Sequence, residues 1–309
     1  MKILIIGGTY FAGRSFTKLL LKRGDEIFLL NRGNVPISSP GIVSVKSDRR
    51  DYDNIKTRIG ELKENGGIPD HMDAVVDFCG YQKGDVEGLI SVLSLSGISF
   101  DRYIFVSTCD VLMHGTGEVY DEDGPKEDRL IEGDVGLYVK GKVALEEELV
   151  SNGCKYTVLR PPFLYGPYNY APRESIYFKW IMEMGEILYP VDADGRFQMV
   201  YTDDLAEIIY RCIGNPTAEN KVFNVCGDKV YDYRSFTDAL VNGIGNTFDI
   251  ADITVDDCIS GEVPMPFPLY MNESNIYKGD RIKDIFSDFT PLDKGLKACY
   301  DFYVNHNVQ

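Results

Sequence analysis

Positive charge is scarce in this chain. Against 48 aspartates and glutamates stand 32 lysines and arginines, a formal charge of -16, and no Lys/Arg cluster is longer than Arg49-Arg50. A surface of that sign repels nucleic acid and anionic lipid over most of its area; it leaves room for a local anion pocket but not for a broad phosphate-tracking face. Histidine is scarcer still, and His71, His114 and His306 show no ligand spacing, so no metal is expected. Long apolar runs are missing: no window approaches the roughly 18 residues of a membrane span, and the short apolar stretch after Lys2 reads as a strand rather than a signal peptide. Seven cysteines, odd in number and without close-spaced pairs, fit a reducing interior, so the expected setting is the cytosol.

What the chain does have is an alternation of strand and helix. Residues 3 to 6 form an unbroken aliphatic run, as expected of a parallel strand buried on both faces. A helix over 11 to 23 ended by Gly24, strands at Glu26 to Leu30 and Ile42 to Val45, a helix over 51 to 63, and strands at Ala74 to Phe78 and Arg102 to Ser107 follow. Helices near 84 to 96 and 138 to 151, with a strand at Lys155 to Arg160, complete the pattern. This is the signature of an α/β, Rossmann-type, doubly wound parallel sheet. The prolines and glycine of Arg160-Pro-Pro-Phe-Leu-Tyr-Gly-Pro-Tyr168 break it. The expected organisation is a core over 1–161, to which 199–226 returns, and a smaller C-terminal substrate-binding region from 162–198 and 227–309.

The first strand runs into Gly7, Gly8 and Gly13, which permit a tight turn and close approach of a pyrophosphate to the first helical N–H groups. Tyr10 stands where a middle glycine usually sits. At the end of the second strand, Asn31-Arg32 lacks the acid that would repel a 2′-phosphate and offers a cation, favouring NADP over NAD; the plainer reading is a turn with a solvated arginine. Asp48 follows the third strand, where an adenine amino group would need an acceptor. Phe78, Cys79 and Gly80 follow the fourth, where they line the cofactor's middle, Cys79 as a wall residue rather than a nucleophile.

Tyr138 and Lys142 are four apart and share a helix face. A lysine cation beside a phenol of ordinary pKa about 10 favours the phenolate, which takes a proton from a carbinol as hydride leaves its carbon, or returns it. Ser107 and Thr108 end the fifth strand; Thr108 is the better third member, with Ser107 its near rival.

These motifs resemble an extended short-chain dehydrogenase/reductase of the NAD-dependent epimerase/dehydratase family. The Gly-Gly-Thr-x-Phe-x-Gly-Arg opening and the Asn-Arg-Gly strand end are similar to its atypical branch, which also contains plastid RNA-associated proteins. Arg160-Pro161 and Tyr201-Thr-Asp-Asp-Leu-Ala206 fit the same pattern. The resemblance implies an enzyme with Thr108, Tyr138 and Lys142 as catalytic residues, Lys142 also holding the nicotinamide ribose. It further implies cofactor contacts from Gly7, Thr9, Tyr10, Phe11, Ala12, Gly13 and Arg160, and a homodimer. The expected reaction is epimerisation of a nucleotide sugar through a transient keto intermediate. The alternatives are an NADP-dependent reductase of a small carbonyl compound and a non-catalytic cofactor-binding or RNA-associated scaffold, the charge opposing RNA contact. Cys109-Asp110 adds a carboxylate that a dehydratase would use. Phe163 departs from the polar residue that sugar epimerases often carry there.

Four further features carry two readings each. Arg173 and Arg196 suit a sugar nucleotide's phosphates or are plain surface arginines. Tyr165, Tyr168 and Tyr170 stack on a base or close the interdomain core. The acidic stretch from Gly115 to Gly136 is a solvated loop or a lid over the active-site edge. The helices near 84 to 96 and 138 to 151 pair subunits or bury against the sheet.

Overall fold

Ile3, Leu4, Ile5 and Ile6 are each no more than 1% exposed, because the first strand has layers on both its faces. The computed structural model describes residues 1–35, 37, 39–113, 118–274 and 276–306. Seven strands form one wholly parallel sheet: β1 (Lys2–Ile6), β2 (Glu26–Asn31), β3 (Ile42–Lys46), β4 (Ala74–Asp77), β5 (Tyr103–Val106), β6 (Tyr156–Arg160) and β7 (Lys221–Asn224). Their order is β7-β6-β5-β4-β1-β2-β3, a Rossmann-type arrangement whose direction of winding reverses between β1 and β4. Loops leaving the carboxyl ends of those two strands diverge and open a crevice there.

The helices are α1 (Phe11–Arg23), α2 (Tyr52–Glu64), α3 (Asp85–Leu95), α4 (Gly133–Asn152), α5 (Glu174–Met184), α6 (Thr202–Cys212), α7 (Tyr233–Ile244), α8 (Val255–Ser260) and α9 (Leu292–His306). Strand alternation sends Ile3 and Ile5 to one face, where they join Phe16 of α1 and Leu205 and Ile209 of α6. It sends Leu4 and Ile6 to the other, with Ile55 of α2, Leu89 of α3 and Leu145 of α4. α4 begins five residues before the expected 138. Gly136, which reads as a loop end, lies inside the helix, and glycine suits that position because the Ile131 carbonyl crosses it with no room for a Cβ.

The expectation that Met199–Tyr201 joins the main sheet is corrected. That strand pairs in parallel with Phe163–Tyr165 in a separate two-stranded sheet, while β7 does lie beside β6 and α6 packs on α1. A short apolar strand reads the same in either sheet, and here its residues Met199 and Tyr201 face an aromatic core instead. In that core Phe197 and Phe267 stack at 4.0 Å among Tyr177, Tyr233 and Phe236. Glu186–Pro190 and Asp249–Ile253 form a second small parallel pair.

Candidate active site

α1 starts directly from the glycine turn, with no side chain capping it and no acid in its first turn. Such a terminus presents unscreened N–H groups to an anion. The turn is packed too tightly for side chains: a Cβ on Gly13 would lie 2.7 Å from the Gly7 carbonyl oxygen, and one on Gly7, at φ +85°, 2.9 Å from Cys79 Sγ. Backbone held this close to the start of a helix is a cradle of the kind a pyrophosphate takes. Tyr10 is tolerated in the turn because its backbone is extended (φ -135°, ψ 148°) and its ring is exposed; the positive φ, +43°, falls on Phe11. Thr9 and Ala12 are buried beside it, and the Thr9 carbonyl accepts from the Arg14 guanidinium.

At the end of β2 the Asn31 side chain accepts from the Gly33 N–H at 2.7 Å, fixing the turn. Arg32 is exposed and forms no ion pair among the described residues; the Lys46 side chain lies against Gly33 from the end of the neighbouring β3. Asp48 is exposed and accepts from the Arg50 N–H at 3.0 Å. Cys79 lies under Gly7, its thiol pushed up to about 12 by burial and by Asp77, which suits a wall and not a nucleophile. Gly80 packs against Phe105 and Leu145.

Tyr138 and Lys142 converge with Thr108. Lys142 is 2% exposed and donates to the Val106 carbonyl at 2.8 Å, its Nζ lying 4.6 Å from the Phe105 ring centre, 5.2 Å from that of Tyr81 and 5.7 Å from that of Tyr138. Burial draws its ammonium down to about 8, against the pull of Asp77. Tyr138 is half-buried; desolvation, with Asp110, lifts its phenol far above the usual value, while a hydrogen bond with Thr108 pulls it down. Thr108 in turn donates to Asp110 Oδ2 at 2.8 Å and accepts from the Asp110 N–H at 3.2 Å. A phenol, a hydroxyl, a carboxylate and an ammonium thus meet above the carboxyl end of β5. Gly141 sets α4 at this distance, since any side chain there would collide with the Tyr81 carbonyl.

Ser107 is not a member of this group: its hydroxyl donates to Glu146 at 2.7 Å inside the protein. Arg160 is likewise removed from the expected cofactor contacts. It is 2% exposed and donates to both Glu146 oxygens, at 2.8 and 2.7 Å, and to the Glu122 carbonyl at 3.0 Å, so its guanidinium is consumed by the core. Residues 119–127 of the acidic excursion are tied to the rest of the chain, while 128–135 lie largely in solvent. Val119–Tyr120 pairs with Ile276–Tyr277, Glu122 accepts from the Asn224 N–H, and Lys126 pairs with Glu146. His114 and residues 115–117, where the excursion begins, lie outside the described residues. Arg196 is paired with Asp232 at 2.8 Å, and Arg173 donates to the Leu164 carbonyl while lying over the Phe163 ring.

Sequence reasoning missed a buried network at the end of β4. Asp77 accepts from Arg49 at 2.9 Å and from the Tyr103 hydroxyl at 2.6 Å, and Asp85 accepts from Arg50 and from the Tyr81 and Gln82 N–H groups. An aspartate closing the apolar strand Ala-Val-Val-Asp77 was its available signal. Glu146, one turn beyond Lys142 on the same helix face, carried a similar one.

Two open hollows, one lined by Met1, Lys2, Glu26, His71 and Asp73 and the other by Asp101, Arg102, Lys155 and Glu219, sit at the opposite, amino-terminal edge of the sheet. Among the described residues no cluster of three or more His, Cys, Asp or Glu is placed to hold a metal, and no helix is long and apolar enough to cross a membrane.

The family model described as "NAD dependent epimerase/dehydratase family" matches residues 3–226. A curated relative, the chloroplast stem-loop binding protein of 41 kDa b from Arabidopsis thaliana, is 30% identical over 264 residues, 79% of this chain; the chain spans 63% of that relative's length. Among solved structures, a UDP-glucose 4-epimerase from Thermotoga maritima with UDP-glucose is similar at TM-score 0.75 and 17% identity over 99% of each chain. A dTDP-glucose 4,6-dehydratase from Bacillus anthracis in complex with NAD is similar at TM-score 0.73 and 16% identity, over 99% of this chain and 97% of that one.

Proposed function

The chain belongs to the NAD dependent epimerase/dehydratase family, and on that premise we propose that it is an epimerase of a nucleotide sugar, acting through a transient keto intermediate. The observation that carries this reading is the meeting of Tyr138, Thr108 and Lys142 at one point beyond β5. Tyr138 takes the proton of a sugar hydroxyl and returns it; Thr108 orients the sugar oxygen; Lys142 stabilises the phenolate by its charge. A bound nicotinamide dinucleotide supplies the hydride acceptor and donor. The residues that would hold it are Gly7 to Gly13 at its pyrophosphate, Asn31, Arg32 and Asp48 toward its adenosine, and Cys79, Gly80 and Lys142 toward its nicotinamide half. Arg32 and Lys46, two exposed cations at adjoining strand ends with no acid at position 31, favour NADP over NAD.

The sugar nucleotide enters from the side of the smaller region, 162–198 with 227–309. The parallels are the printed substrates of two fold neighbours, a UDP-glucose epimerase and a dTDP-glucose dehydratase. We read the partner as a small molecule and not RNA, despite the relative's name, because a chain of charge -16 repels a phosphate backbone. A cytosolic homodimer is consistent with free cysteines and with Leu95 on α3 and Leu137 and Val150 on α4, all exposed.

One observation favours a second reading. Asp110, hydrogen-bonded to Thr108 and close enough to raise the Tyr138 pKa, is a carboxylate positioned to take a carbon-bound proton once a keto group has acidified it, which is dehydratase chemistry. Turnover of UDP-, dTDP- and GDP-sugars, followed by mass and by chromatography that separates epimers, distinguishes the two. A product of unchanged mass and altered retention supports the epimerase. Loss of water transfers the assignment to the dehydratase, and a two-hydrogen change to a reductase or dehydrogenase. No turnover, with dinucleotide bound, contradicts all three.

A further inference from the structure

The loop between Tyr165 and α5 returns across the glycine turn. Tyr170 stacks on Tyr10 with ring centres 5.8 Å apart and planes 22° off parallel, and meets Phe11 edge-on at 5.6 Å. Tyr10 and Phe11 belong to the β1 wall of the crevice where the sheet's winding reverses. Tyr170 therefore joins the loop that enters the smaller region to the glycine turn.

The rest of the loop is built to hold it there. Tyr168, at φ +65°, places its ring 4.2 Å from the Arg14 guanidinium, 4.8 Å from the Lys18 ammonium and 4.5 Å from the Phe302 ring. Glu174, 2% exposed, accepts from the Gly166 N–H at 3.1 Å and from the Asn169 amide at 3.1 and 2.9 Å. Two non-glycine residues with positive φ, Phe11 and Tyr168, flank the contact, a strained conformation that surrounding packing must impose. Tyr170 itself stays 68% exposed, so its ring gains little from burial where it lies.

We propose that Tyr10 and Tyr170 form an aromatic latch over the dinucleotide cleft that must part before the cofactor leaves, so that the cofactor is retained from one turnover to the next. The inference rests on the dinucleotide-binding reading above and adds to it two residues that hold the ligand in place rather than react. It also gives Tyr10, the residue standing in the usual glycine position, a purpose: a glycine there offers Tyr170 no ring to stack on.

The test is the dissociation rate of bound NADPH, or NADH, followed by its fluorescence after a chase with excess oxidised dinucleotide. Tyr170→Ala and Tyr10→Ala should each release the cofactor roughly 3- to 10-fold faster, in keeping with the loss of one aromatic pair. The double variant should be no faster than the quicker single one, and Tyr170→Phe, which keeps the ring, should match the unsubstituted chain. Melting temperatures should fall by no more than about 4 °C, the loss expected of one aromatic pair. Release rates within two-fold of the unsubstituted chain, or fully additive effects, would overturn the latch while leaving cofactor binding intact. If the unsubstituted chain binds neither dinucleotide, the latch and the reading it rests on fall together.

Discussion

Lys142 is the residue on which charge and burial are most finely opposed. Its ammonium sits among three aromatic rings and is drawn down to about 8, so its role as a cation ends near the top of the physiological range. Turnover that depends on that charge should fall as pH rises through about 8, and kcat/KM measured from pH 6 to 10 checks it. The stability sign is opposite. A folded-state pKa below the ordinary 10.5 means the fold bears the cost of the buried charge below about pH 8, and the cost is relieved between about 8 and 10.5. Lys142 was legible in the sequence because Tyr138 lies one helical turn before it, and helical spacing is local information. Arg160 was not. An arginine at a strand end reads alike whether it meets a dinucleotide or a glutamate, and Glu146 reaches it only after α4 has folded across the sheet.

At the scale of elements, Glu146 ties together pieces that the sequence presents as unrelated. It accepts from Ser107 after β5, from Arg160 at the end of β6 and from Lys126 in the acidic excursion. Burial alone would lift its pKa, but Arg160 and Lys126 more than offset that and hold it below the usual carboxylate range. Removing one partner leaves charge buried without full compensation, so Arg160→Met should destabilise the protein by roughly 3 kcal/mol or more. The measurement is the shift in the guanidinium chloride midpoint; a loss under about 1 kcal/mol would mean that the cluster behaves like a surface ion pair. The excursion's acidic composition suggested solvent or a lid because composition reports average exposure only. Glu122 and Glu127 are 5% and 6% exposed, Glu122 held by Asn224 far along the chain and Glu127 by the neighbouring Arg129.

For the whole molecule, the parallel sheet was legible because its strands are uniformly apolar and evenly spaced by amphipathic helices, a pattern few other folds satisfy. The smaller region was less so. Its strands pair across long intervals, Phe163–Tyr165 with Met199–Tyr201 and Glu186–Pro190 with Asp249–Ile253, and no local signal fixes such pairings. Glu174 holds together the loop that enters that region, accepting from Gly166 and Asn169. Burial raises its carboxyl to about 7, partly opposed by the Gly166 N–H. A raised folded-state pKa contributes stability that is complete below about 4.5 and is lost as pH rises through about 7. Glu174→Gln should therefore be more stable than the unsubstituted chain at pH 8, by on the order of 1–3 kcal/mol, and no more stable at pH 4.5. Thermal unfolding at the two pH values checks it, and an equal difference at both would contradict the assignment.

Catalysis as proposed depends on Tyr138 as the group that moves the substrate's proton. Its phenol can be removed while its ring stays, so turnover and dinucleotide affinity of Tyr138→Phe, measured side by side, test that claim most directly. The expected result is a loss of turnover of about 100- to 10,000-fold, with affinity for the dinucleotide within a few-fold of the unsubstituted chain. Turnover retained at its original rate would contradict it.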